Sequence, residues 1–368
     1  MTGSPPFDAL RLPDHAQVIV PCSDLDAAIA FYTGTLGFRL DMIMPADAPR
    51  VAVLSGAGIA LRLEFAGPHR PSHTALTLRL TGSHAWFASF DAHELAGPDG
   101  VRILLVDDDA PLMTPVAEQV LLVTRANDGA IVAGRAGMSY RDLIPGRLGG
   151  RYIASHICIP AGGPVPDYVH YHRVGFQMIY CLHGWVRVVY EDQGEPFVMH
   201  AGDCVLQPPT IRHRVLEASP GLEVLEIGGP AEHETLREHA FDLPTARLQP
   251  DRSFGGQRFV RHVAANATWR PCAGGGFEYR DTGIAEATDR LASVQVLRAL
   301  PMPPSATSAA RVPSDRLLFL SVLEGRLALR GSTMGAQSLD PGDACVIPAD
   351  TDYVLDANAP CEVLAVEL

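Results

Sequence analysis

GPVPDYVHYHRVGFQMIYCLHG, residues 163–184, and AGDCVLQPPTIRHRV, residues 201–215, decide how this chain is read. His170 and His172 are separated by one residue, so on a strand both imidazoles point to one face. Gln177 follows, then Gly184, and in the second stretch Gly202, Pro208 and His213. Three imidazoles and an amide oxygen converging on one point suit a divalent transition metal that keeps open coordination positions. The alternation that puts Tyr168, His170 and His172 on one face also aligns Gln177, Ile179 and Cys181, and likewise Ile211, His213 and Val215. The expected cavity is therefore metal-centred with apolar walls. Tyr171 and Phe176 point away from it, His156 reads as a satisfied core histidine, and His183 as solvent-facing.

This spacing resembles the two signature motifs of the cupin family: Gly, His-x-His, an acidic residue and Gly, then Gly-x5-Pro and a single His. The matching positions are Gly163, His170, His172, Gln177 and Gly184, then Gly202, Pro208 and His213. Gln177 departs from the pattern, because the family usually has Glu there. The resemblance implies a jelly-roll β-barrel and a metal held by His170, His172 and His213, with Gln177 as a fourth, weaker or water-mediated ligand.

Outward from the motif, the chain repeats itself. Tyr140-Arg141-Asp142 returns as Tyr279-Arg280-Asp281, CLHGWVRVV as VLEGRLALR, and MHAGDCVLQPPTIRHRV as LDPGDACVIPADTDYVL. The later copy keeps Gly342 and Pro348 but has Tyr353 where His213 stands, and it has no His-x-His. A second barrel without metal ligands, structural in role, is expected over 266–368. The metal-binding barrel is expected over 139–232, with a connecting segment at 233–265 into which a short helix, AEHETLREHA (231–240), leads.

Towards the N-terminus, AQVIVPC reads as a strand, and Ser23 and Asp24 as caps of a helix through DLDAAIAFYTGTLG that ends at Gly37. FRLDMIM, RVAVLS and IALRLEF follow as strands. This βαβββ unit resembles the opening module of the glyoxalase (vicinal oxygen chelate) family, which implies ligand positions at Gln17 and Glu64, with His73 opening a second module. A degenerate domain without its own metal is expected at 14–125, behind a tail at 1–13 and ahead of a linker or shared strand at 126–138. The expected fold class is thus mostly β, with an α+β N-terminal part followed by two jelly-roll barrels.

Composition bounds the rest. The chain has 368 residues, 47% hydrophobic and 19% charged, which describes a globular, multi-domain protein. A net charge of −13 argues against nucleic acid or an anionic membrane as partner. The seven cysteines form no CxxC pair and read as small core residues in a reducing cytosol. The opening residues carry no secretion signal, and no apolar run is long enough to span a bilayer.

The expected cofactor is one divalent ion, iron first, with Mn, Ni, Co or Zn as alternatives. A neutral ligand set leaves that ion its full charge, which suits a diketone, hydroxyketone or hydroxylated aromatic. Three functions stay open: a dioxygenase on such a compound, a redox-neutral isomerase, epimerase or lyase on a sugar- or keto-acid-like substrate, and a non-catalytic small-molecule binder. Tyr168, Glu217 and, behind them, Tyr180 are the candidate proton-transfer residues. The modules at both ends offer association surface, so a cytoplasmic homodimer is expected.

Overall fold

Alternating apolar and polar residues become strand through most of the chain. The computed structural model describes residues 16–45, 47–67, 76–134, 137–301, 306–331 and 335–368. It is 48% strand and 9% helix. Two compact units divide at Pro111/Leu112. The boundary falls before the 125 read from the sequence, because Leu122–Thr124 is a strand of the second unit's sheet.

In the first unit, helix Leu25–Gly34 is capped by Asp24, whose carboxylate accepts from Ala27 N at 2.9 Å. It buries Leu25, Ala28 and Tyr32 against a four-stranded sheet in which Val18–Cys22 pairs in parallel with Ile59–Phe65. This is the expected βαβββ arrangement. The remainder of the unit is slighter: a three-stranded sheet and the four-residue helix His84–Phe87. The glyoxalase-like ligand positions do not meet. Gln17 is exposed just before its strand, whereas Glu64 pairs with Pro21, four residues further along. That separation is about 13 Å at ~3.3 Å per residue, and Glu64 is spent on Arg62 at 2.6 Å. His73 lies outside the described residues.

The second unit holds two barrels, each built from a seven-stranded sheet facing a smaller one. They exchange strands. Leu122–Thr124, which precedes the first barrel, pairs with Ala344–Ile347 of the second, and Val260–His262, which precedes the second, pairs with Cys204–Leu206 of the first. The repeat is visible in single hydrogen bonds. Ala126 N donates to Asp343 at 2.7 Å and Ala264 N to Asp203 at 2.8 Å. Arg141 Nη2 reaches Gly342 O at 3.2 Å, and Arg280 Nη1 reaches Gly202 O at 3.1 Å. Between the barrels lies one core: Met178, Leu206 and Ile227 from the first pack with Val294, Phe319 and Val346 from the second. A separate apolar cluster fills the interior of the second barrel, with Tyr353 packed against it.

The helix expected at 231–240 is absent. Thr235–Arg237 is a strand that pairs with His170–His172. The free edge of the short His-x-His strand needs partners for its backbone groups, and this tertiary demand outweighs the local helix propensity.

Because the core is shared, Phe319→Ala is expected to cost about 3–5 kcal/mol and to loosen both barrels. Calorimetry with hydrogen exchange should show peptides spanning 176–183 losing protection together with those of the second barrel. Unchanged protection of 176–183 would mean the barrels are energetically independent.

Candidate metal centre

His170 and His172 lie on one short strand, and His170 pairs directly with His213 on the neighbouring strand. One nitrogen from each comes within 4.8 Å of the others. All three rings are buried, so each Nδ1–H needs a protein acceptor. His170 Nδ1 donates to Tyr168 O at 2.8 Å, and His213 Nδ1 to Ile211 O at 3.0 Å. His172 Nδ1 lies 2.9 Å from Thr235 Oγ1. A carbonyl can only accept, so the tautomers of His170 and His213 are set with the lone pair on Nε2, whereas the hydroxyl facing His172 is compatible with the same tautomer without imposing it. Gln207 Nε2, 3.1 Å from His213 Nε2, is aimed at one such lone pair. The buried carboxylate of Asp167 stands 3.7 Å from His170 Nδ1 and accepts from Val215 N at 2.9 Å. Outer partners of this kind orient histidine ligands and raise their basicity.

Gln177 is buried in the same cavity. Its amide nitrogen donates to Glu226 at 3.1 Å, and its oxygen faces Gln207 Nε2 at 3.4 Å. Tyr190, whose phenol burial pushes up, donates from its hydroxyl to Gln207 at 3.1 Å. A chain of side chains thus runs from Glu226 through Gln177 and Gln207 to His213. His233 also borders the cavity, its ring 5.5 Å from that of His172 and its Nδ1 donating to Pro230 O at 2.9 Å.

The structure leaves the three sequence-derived proton-transfer candidates off the cavity wall. The Tyr168 ring lies under the Arg237 guanidinium at 4.5 Å and edge-on to His170; its contribution to the site is the carbonyl. Tyr180 faces the inter-barrel core, where Arg280 donates to its hydroxyl at 2.9 Å. Glu217 pairs with Arg187 at 3.3 Å. Simple alternation from His213 through Val215 puts Glu217 inside. A bulge breaks it: Arg187 opposes Glu217 while Val188 opposes Val215, so Ala218 takes the inward place. Glu226, Gln207, His233 and Thr235 were missed by sequence reasoning. Glu226 had left a signal, since it alternates with Leu222 and Val224 along one strand face.

The cavity has a volume of about 260 Å³ and is graded along its axis. On the larger sheet, Gln177 and Ile153 flank Gly228, then Ile179 and Ser155 flank Glu226, then Cys181 and Ile157 flank Val224, and Ile159 stands beside Leu222. On the facing sheet, Tyr190 and His213 give way to Val188 and Val215, then to Val186 and Ala218. Polar groups gather at one end and aliphatic groups at the other.

Residues 155–227 match the cupin domain model. The chain carries a cupin domain. Ahead of it, residues 13–103 match the Glyoxalase/Bleomycin resistance protein/Dioxygenase superfamily model. No curated protein sequence matches the chain. Among solved structures similar to it is protein Ylba from E. coli, at 10% identity and TM-score 0.49, covering 69% of this chain and 93% of that one. Lactobacillus farciminis oxalate decarboxylase in its formate complex is 13% identical with TM-score 0.48, covering 69% and 87%. A deletion mutant of Bacillus subtilis oxalate decarboxylase is 12% identical with TM-score 0.47, covering 69% and 77%.

Thr235→Val removes the hydroxyl that faces His172 Nδ1 without changing side-chain shape. Zinc affinity, measured by competition with a chromogenic chelator, should fall about 10–100-fold. An unchanged affinity would show that the hydroxyl does not orient the ring.

Proposed function

We propose that this chain is a metal-dependent cupin enzyme whose ion is held by His170, His172 and His213, and that it is a dioxygenase acting on a small diketone, hydroxyketone or hydroxylated aromatic. One observation carries the reading: three buried imidazoles, each with a ring nitrogen within 4.8 Å of those of the other two, and with their Nδ1 atoms facing Tyr168 O, Thr235 Oγ1 and Ile211 O. Three neutral nitrogens converging in this way are the donor set of an open transition-metal site. An ion bound there, iron in this reading, supplies a Lewis acid with open positions for an oxygen-donor substrate.

The chain's own residues supply the rest. Gln177 sits between Glu226 and Gln207 with its amide engaged by both; it holds the Glu226 carboxylate at the cavity wall, where it can accept a proton from an enol or phenol. The aliphatic half of the cavity excludes water from whatever is held at the polar end. All 29 cationic residues counted as Lys+Arg are arginine, so no lysine can form an imine with a carbonyl substrate.

A redox-neutral lyase or isomerase is the second reading, and Glu226 favours it. A carboxylate lining the cavity beside the triad is what proton transfer at a polarised carbonyl requires.

Metal content per chain, with oxygen uptake in the presence of Fe(II), tests both readings. His170→Ala, His172→Ala and His213→Ala should each lose most of the metal. Gln177→Ala should keep much of it, and Gln177→Glu should bind it at least as tightly, because the added charge offsets that of the ion. Oxygen uptake that needs Fe(II) and the triad supports the dioxygenase. Turnover of an enolisable ketone without oxygen supports the second reading. Full metal occupancy in all three His variants overturns the centre.

A further inference from the structure

The graded cavity says more about the occupant than the metal does. Resting on the metal-centred reading of the site, we propose that the compound bound here is a small oxygen-donor head carrying an uncharged, apolar body, and that the aliphatic half of the barrel selects that body.

The layers carry the argument. Beyond Glu226, the inward side chains of the larger sheet include Val224, Ile157, Leu222 and Ile159, and those of the facing sheet include Val188, Val215 and Val186. Tyr140 brings a hydroxyl into this half, and that hydroxyl donates to Met138 Sδ at 3.4 Å. Among the described residues, the cavity boundary includes one cationic residue, Arg214. It is exposed and falls between the inward positions of His213 and Val215, so its guanidinium belongs to the outer face. A carboxylate on the substrate body, in the aliphatic half and away from the metal-bound head, would therefore have no cationic side chain beside it, and burying an unpaired anion is strongly unfavourable. Glu226, standing at the boundary between the two halves, adds like-charge repulsion to that cost. An alkyl or aryl body gains what the anion loses, since each buried methylene is worth about fourfold in affinity. At about 260 Å³ the space lies just below the ~300–1,000 Å³ usual for ligand pockets, which confines the body to a few carbons or a single ring.

Three probes with one head and different bodies test this: catechol, 4-tert-butylcatechol and 3,4-dihydroxybenzoate, titrated calorimetrically into the zinc-loaded full chain. Zinc is redox-inert, so binding is read without turnover. The tert-butyl compound should bind on the order of a hundredfold tighter than catechol, and the benzoate at least about tenfold weaker. A benzoate that binds as tightly as the tert-butyl compound overturns the proposal. Val224→Thr and, independently, Val188→Thr keep side-chain shape while adding a hydroxyl. Either should shrink the tert-butyl-to-catechol affinity ratio severalfold, and an unchanged ratio in both overturns the placement of the body. The same titrations on metal-free protein and on His213→Ala separate the two readings. Affinities indifferent to zinc would remove the metal-bound head, whereas the order among the three bodies judges the apolar half in either case.

Discussion

Each imidazole at the centre of the first barrel must place its second nitrogen's hydrogen somewhere, and the rest of the site depends on where it goes. For His170 and His213 the acceptors are the carbonyls of Tyr168 and Ile211, each two residues earlier in the chain. Backbone two residues away cannot drift from its own histidine, so these tautomers are fixed by local geometry. His172 differs, because its partner, Thr235, lies sixty-three positions away in sequence. The convergence of three nitrogens therefore rests on two local tethers and one long-range tether. The long-range one depends on the strand Thr235–Arg237 being paired in place.

Duplication explains how that strand is held. The segment that leaves the first barrel closes the edge of the His-x-His strand and then returns as Val260–His262 against Cys204–Leu206 before entering the second barrel. The second copy has lost the ligands but kept the turns: Gly184 and Gly325 both have positive φ, at 77° and 74°. A side chain at either would run into Ser219 or Pro360, so glycine is required for the fold whether or not a metal is bound. The aliphatic interior of the second barrel and the core it shares with the first account for its retention as a structural element.

Legibility in the sequence followed the range of the interactions. Strand alternation and turn glycines are local, and they gave the barrel motif, the repeat, the N-terminal βαβββ unit and the grouping of His170, His172, Gln177 and His213. Glu217 shows where a local rule breaks, since one bulged residue reverses the facing of everything after it. The expected helix at 231–240 failed for the opposite reason: local propensity was outweighed by an edge that needed pairing. Glu226 was within reach, since it sits at an inward position of a regular strand, but it carries no motif spacing to single it out. Gln207 is adjacent to a motif proline, and only the folded cavity shows that it faces His213 and Gln177.

The replacement of the usual acidic motif residue by Gln177 also reads differently in the folded chain. A carboxylate at that position would face Glu226, whose oxygen now accepts from the Gln177 amide at 3.1 Å. Without a cation beside them, two carboxylates at that distance in a buried cavity repel, and one would have to hold a proton. An amide removes the conflict, because it donates to the acid with its nitrogen and offers its oxygen to Gln207. Gln177 and Glu226 are thus a pair in which the negative charge has moved from the motif strand to Leu222–Gly229, one layer further along the axis and nearer the aliphatic half. The three histidines keep a neutral set, and the carboxylate stands where it meets the occupant of the cavity.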